Sequence, residues 1–282
     1  MSKKGKRILV SLFVIVLLIV LIVCSNIYAG KINVSKVNIK VSYGMSDTIV
    51  LATNINESLK NEFGDFLKKQ RKDIDQKKIE SFLMQNPYIE QAQVYQTLKG
   101  VLNIEIKQRE PIVRIYTLRN KEYYIDKLGK VILIDDNQLT DVVVASGNVD
   151  VNNPNLDKNL DTIDIENKKG FDKTLSNIYY IAQKLASDSI LNYQIDQIYV
   201  PAKGNYELIP KIGNYIIRIG ENKDLEEELI KLRYLYKEAF SRNGWDNYSF
   251  VDLRFRHQVV CTKKGGIEAT IDSSQTTTNK VN

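Results

Sequence analysis

The feature that most constrains this chain is a single apolar run near its N-terminus. From Ile8 to Cys24 the run is interrupted only by Ser11 and carries no charge. About 17 residues is the short end of what crosses a bilayer core of roughly 30 Å. Lys3, Lys4, Lys6 and Arg7 stand on one flank, and clustered lysines and arginines favour the cytoplasmic side. These residues predict a cytoplasmic tail over 1–7, one transmembrane helix over 8–24 and a juxtamembrane link over 25–33, with the bulk of the chain outside. A cleaved signal peptide is the competing reading. Its apolar core is usually shorter, roughly 7–15 residues, and is followed by a small-residue site. Ile27-Tyr28-Ala29 is a poor version of that site, and Val23 is too large before Cys24 for a lipoprotein signal.

The residues beyond the run are enough for two modest domains. With 43% hydrophobic and 26% charged residues, the chain has the balance of a folded protein. The formal net charge of +6 does not point to nucleic acid, because the cations are scattered and several belong to the tail. The 2 cysteines, Cys24 in the run and Cys261 far from it, do not make a disulfide framework.

Period-two and helical spacings organise the rest. Lys36–Val41 alternates as a half-buried strand. Ile55, Leu59, Phe63 and Phe66 follow at helical spacing, weakened by Gly64. Asp75 is placed as the N-cap of a second helix, with Ile79, Phe82 and Leu83 on its sheet-facing side. Asn86-Pro87 ends it, because proline disfavours helical geometry in the preceding residue. Ile89–Gln96 and Val101–Lys107 are strands joined by a tight turn at Lys99-Gly100. The order is strand, helix, helix, strand, strand.

Pro111 suits a strand edge or a domain junction, since it gives no N–H to a ladder, so the boundary is set there. Short strands follow at Tyr123–Ile125, Val131–Ile134 and Val142–Val144, with Gly129 in the first turn. A helix is expected over Asp172–Ala186, then strands at Ile195–Val200, Tyr206–Ile209 and Tyr215–Ile219. A second helix opens at Asp224 with the spacing of a capping box and buries Leu225, Leu229, Leu232, Tyr236 and Phe240. One last strand covers Tyr248 to Cys261. Residues 264–282 have no apolar periodicity and read as a disordered tail.

No catalytic constellation emerges. The chain has 1 histidine, His257, which excludes a multi-histidine metal site and leaves a nucleophilic triad one possible base. Cys261 has no metal-spaced partner. Asp135-Asp136 on an extended chain would point to opposite faces. No phosphate-binding glycine loop or dinucleotide fingerprint is present. The basic stretch Lys68–Lys72 suits a solvated loop better than a lipid contact. Trp245 in Asn243-Gly244-Trp245-Asp246 reads as a packed ring after a turn. No cofactor, nucleic acid or small-molecule substrate is implied.

Several local sequences together resemble the FtsQ/DivIB family of bacterial cell-division proteins. Asn86-Pro87-Tyr88-Ile89 with Ala92-Gln93-Val94 looks like that family's helix-to-strand passage. Gln108-Arg109-Glu110-Pro111 looks like its junction after the third strand of a POTRA domain. Tyr124-Ile125-Asp126 with Gly129 looks like the first hairpin of its β domain. Phe250–Phe255 resembles its penultimate strand, and Gln258–Lys263 resembles the ending of Bacteroidetes members. The resemblance runs over residues 1–263. At Glu228-Leu229 it departs from the Lys-Phe of many relatives.

The resemblance implies an α+β chain: a single N-terminal transmembrane helix, a POTRA domain over 34–110, then a β-rich domain over 111–263 with two helices and a C-terminal edge strand. It implies a non-enzymatic divisome scaffold in the bacterial inner membrane, N-terminus cytoplasmic and bulk periplasmic, at the division septum. There it would link early and late division proteins through FtsB-like and FtsL-like single-pass partners. A membrane-anchored cell-wall enzyme would need a nucleophile or metal not found here. A generic POTRA assembly adaptor would co-purify with other partners. A terminal strand leaves N–H and C=O groups unpaired, so partner binding by strand addition is expected at Phe255, Arg256, Gln258, Val259, Val260 and Cys261. The alternative is that another strand of this chain covers that edge.

Overall fold

The computed structural model describes residues 12–23, 31–44, 48–134, 140–150, 173–221, 223–240, 244–265 and 268–272. Residues 12–23 form helix α1, with apolar side chains exposed along its length. Among the described residues no helix is long and apolar enough to cross a membrane. This overturns the expected transmembrane helix over 8–24, and with it the single-pass inner-membrane placement with a periplasmic bulk.

The chain divides into two units, Met1–Arg109 and Glu110–Asn282. In the first, β1 (Lys36–Ser42), α2 (Ala52–Phe63), α3 (Gln76–Leu83), β2 (Ile89–Gln96) and β3 (Val101–Gln108) follow in the expected order. The sheet runs β1-β3-β2, with β1 parallel and β2 antiparallel to β3. One face of β3 buries Leu102, Ile104 and Ile106, and Ile55, Leu59, Ile79 and Leu83 of the two helices are buried as well. The first helix stops at Phe63 rather than Phe66, because Gly64 takes a left-handed φ of 73° there. Phe66 instead enters a 3-10 turn. Asp75 caps α3 as expected, its carboxylate accepting from the Lys78 N–H at 3.0 Å.

Phe82 departs from the expectation. It is half-buried and packs edge-on against Phe63 with ring centroids 5.4 Å apart. Ile79 and Leu83 alone take the fully buried positions on that helix. Gly100 has φ 82°, and a Cβ there would meet the Asn33 carbonyl at 2.6 Å, so the turn demands glycine. A feature with no sequence signature closes the unit. The wholly buried Gln108 side-chain oxygen accepts from the Ile49 and Val50 N–H groups, both at 2.8 Å.

The second unit carries β4 (Pro111–Tyr116), β5 (Glu122–Asp126), β6 (Val131–Leu133), β7 (Val143–Gly147), α4 (Lys173–Ala186), α5 (Leu191–Gln194), β8 (Ile195–Val200), β9 (Tyr206–Pro210), β10 (Ile216–Ile219), α6 (Leu225–Tyr234), β11 (Tyr248–Asp252), β12 (Gln258–Lys263) and β13 (Glu268–Asp272). These strands form one 10-stranded sheet in the order β13-β12-β11-β10-β9-β8-β7-β4-β5-β6. Pro111 fits as the first residue of its strand, where no ladder N–H is required. Val113, Ile115, Ala145, Ile198, Leu208, Ile217, Val251, Val259 and Cys261 point to one face and join the buried residues of α4, α5 and α6 in a single core.

Three expectations fail here. Among the described residues the β domain holds three α-helices, not two, and α6 continues as a π-helical segment over Leu235–Phe240. The strand expected from Tyr248 to Cys261 is two strands, β11 and β12, paired antiparallel around a turn in which His257 has φ 59°. The C-terminal edge strand is also not where it was expected. β13 pairs antiparallel with β12 from Gln258↔Asp272 to Thr262↔Glu268, so part of the supposed tail is the sheet edge. Thr270 and Ile271 are β-branched and suit an extended chain, a preference masked by the polar residues around them.

Candidate functional site

Because the helices of the second unit share one core, the opposite face of its sheet carries none of them among the described residues. The register builds two rows across that face. Phe250 stands opposite Ile216, and Ile209, Gln197, Val144 and Arg114 continue a line from β9 to β4. The second row runs Val260, Asp252, Arg218, Glu207, Tyr199 and Ser146. It alternates charge: Arg218 pairs with Glu207 at 3.3 Å and lies 4.4 Å over the Phe250 ring. Arg114 pairs with Glu122 and lies 4.9 Å over Tyr116. The face is therefore ordered by cross-strand pairs, with its charges largely matched from within.

At the end of β11 the chain leaves the sheet as Leu253-Arg254-Phe255-Arg256-His257 and returns as β12. Lys231 of α6 fixes this turn. Its side chain is 9% exposed, and its ammonium donates to the Leu253 carbonyl at 2.5 Å and the Phe255 carbonyl at 2.8 Å. One turn earlier, Glu228 is 2% exposed and accepts from the Gly220 N–H at 2.9 Å. Burial raises its carboxyl above the ordinary range, opposed by that N–H and by Lys231. Burial also works to raise Asp252, but hydrogen bonds from the Arg254 side chain and backbone win and hold it below 3.8. Asp224 makes no side-chain cap on α6, so the expected capping box is not formed.

The expected partner-binding residues separate into two groups. Phe255 is 46% exposed and Arg256 is exposed, both in the turn. Gln258 and Val260 are half-buried. Val259 at 5% and Cys261 at 0% belong to the core, and burial pushes the Cys261 thiol up to about 11. Both backbone edges of β12 are taken, one by β11 and the other by β13. The expected free edge at β12 is thus covered by the chain itself. Trp245 is partly buried against the core and meets Phe240 edge-on at 6.4 Å. Asp135-Asp136 lies outside the described residues. Among the described residues no three His, Cys, Asp or Glu side chains converge as a metal would require.

Lys231 and Glu228 were missed because they are charged, yet Glu228 stands three residues after Leu225 and four before Leu232, and Lys231 four before Leu235, on the same side of the helix. That spacing was the available signal. A charge inside an apolar stripe is buried or breaks the stripe.

Comparison with known proteins bears on what such a surface serves. Residues 110–262 match the family described as FtsQ/DivIB, C-terminal related. The chain belongs to the FtsQ/DivIB family. Residues 33–107 match the POTRA-like domain family, in line with the strand–helix–helix–strand–strand order of the first unit. No curated protein sequence matches the chain. An FtsQ/DivIB-type chain with a POTRA-like domain belongs to the cell-division machinery as a scaffold, which suits a site made of an ordered sheet face and a clamped turn.

Proposed function

We propose that this chain is a non-enzymatic scaffold of the divisome that links early and late division proteins by binding FtsB-like and FtsL-like partners. The observation that carries the reading is the succession, in one chain, of a POTRA-like domain over 33–107 and an FtsQ/DivIB C-terminal-related domain over 110–262. The partner contact is proposed at Phe255, Arg256, Gln258 and Val260. An aromatic ring and an arginine on a fixed turn suit a partner anchor, since both residue types are enriched at interface hot spots. Val259 and Cys261 act from beneath, by holding β12 against the core. Because β13 covers β12, a partner strand would add to β13 or displace it.

The test is affinity capture of the tagged chain from its native host, with the bound proteins identified by mass spectrometry. FtsB-like and FtsL-like proteins should be recovered with the wild type and lost with Phe255→Ala/Arg256→Glu. A wild-type chain that recovers neither overturns the partner assignment. A double variant that retains both moves the contact elsewhere on the surface.

A further inference from the structure

In the three-stranded sheet of the POTRA-like domain, β2 lies at one edge. Backbone hydrogen bonds alternate along an antiparallel pair, and the Thr97 N–H bonds across the hairpin to the Val101 carbonyl at 2.9 Å. Counting back by two, Tyr95, Gln93 and Gln91 address β3, while Gln96, Val94 and Ala92 direct their N–H and C=O groups outward. The strand Ile-Glu-Gln-Ala-Gln-Val-Tyr-Gln carries one charged side chain, Glu90, which pairs with Lys107 at 2.5 Å. A strand edge so poor in charge invites a further strand.

The outward Val94 N–H is not left open. The Glu80 carboxylate on α3 accepts from it at 2.7 Å. Ile79 and Leu83, packed in the core on either side, hold Glu80 in that place. We propose that Glu80 is a gatekeeper that closes the β2 edge, and that the occupant it excludes is β2 of a second copy of this chain. An incoming strand would need its own carbonyl at the point the carboxylate holds, and the negative charge repels that oxygen. Two copies of β2 can otherwise pair antiparallel, each supplying outward groups to the other. Glu80 thereby keeps the domain from joining edge to edge when scaffold molecules are crowded together.

The experiment uses the full chain as wild type, Glu80→Gln and Glu80→Ala, with two readouts. One is hydrogen exchange at the Val94 amide. The other is binding of a fluorescein-labelled peptide copying Ile89–Gln96. Alanine is the best helix former, so α3 should persist, as circular dichroism will show. Glu80→Ala should exchange at Val94 roughly tenfold or more faster when dilute. It should slow again as concentration rises and copies pair, and it should bind the peptide. Glu80→Gln keeps an acceptor oxygen and should follow the wild type, with slow exchange and no peptide bound. A folded Glu80→Ala chain that exchanges as the wild type does, or that neither associates nor binds the peptide, overturns the proposal. Peptide binding by the wild-type chain overturns it whatever the variants do.

Discussion

Replacing Lys231 with methionine removes the group that ties α6 to the turn between β11 and β12. The ammonium makes two hydrogen bonds, to the Leu253 carbonyl at 2.5 Å and the Phe255 carbonyl at 2.8 Å. The Leu253 bond is buried. Leaving a buried acceptor without a donor costs roughly 1–3 kcal/mol. Methionine preserves most of the stem's packing and no longer needs an ammonium taken out of water, which offsets part of that cost. The net expectation is a loss of about 1–2 kcal/mol. For a unit in the 150–250-residue class, about 2–4 °C per kcal/mol applies, so melting should fall by roughly 2–8 °C. Differential scanning calorimetry gives the shift, and hydrogen exchange at Arg254–Gln258 locates it, since those amides should open first. A Lys231→Met chain with unchanged melting and unchanged exchange in that turn would refute the clamp.

Three further outcomes follow from the same geometry. Gln108→Leu deprives the Ile49 and Val50 N–H groups of their common acceptor and should destabilise the first unit by roughly 2–4 kcal/mol, read by urea denaturation; an unchanged midpoint would contradict the staple. Ile79→Ala should cost roughly 2–5 kcal/mol as a core truncation, while Phe82→Ala, half-buried on Phe63, should cost clearly less; the reverse ranking in denaturant would put Phe82 back in the core. Asp188 is also held below 3.8, because its bonds to Arg233, Leu191 and Ile190 outweigh the opposing effect of its burial. With folded values below the unfolded one, Asp188 and Asp252 add stability that is present above 3.8 and lost as pH falls through their folded values. Urea midpoints between pH 2 and 5 should show that loss in the wild type and much less of it in Asp188→Asn/Asp252→Asn.

The parts of the fold that were legible in the sequence are those where one local interaction decides. Asp75 had to cap a helix, Gly100 had to turn left-handed, and Pro111 had to stand at the start of a strand or a junction. The failures share a different cause, since each depends on a group distant in the chain. Val251, Leu253 and Phe255 alternate well enough for one long strand. Lys231, more than twenty residues earlier, bends that strand into a turn by taking the Leu253 and Phe255 carbonyls. Phe82 had the spacing of a core residue, but Phe63 holds it at the rim. The polar segment after Lys264 has no apolar periodicity, because its place at the edge of the sheet is set by hydrogen bonds to β12. The apolar run at the N-terminus read as a span from composition alone, whereas among the described residues no helix is long and apolar enough to cross a membrane. Phe255 and Arg256 were expected as partner contacts from the terminal strand and the resemblance. The Lys231 clamp on their turn came only from the structure.

The central claim is that this chain is a scaffold without which the division machinery does not assemble. Depletion of the chain in its native host, followed by microscopy of cell length and constriction, tests it most directly. Growth should continue while constriction fails, giving filaments that the wild-type chain rescues and Phe255→Ala/Arg256→Glu does not. Depleted cells that constrict and divide at normal length would contradict it.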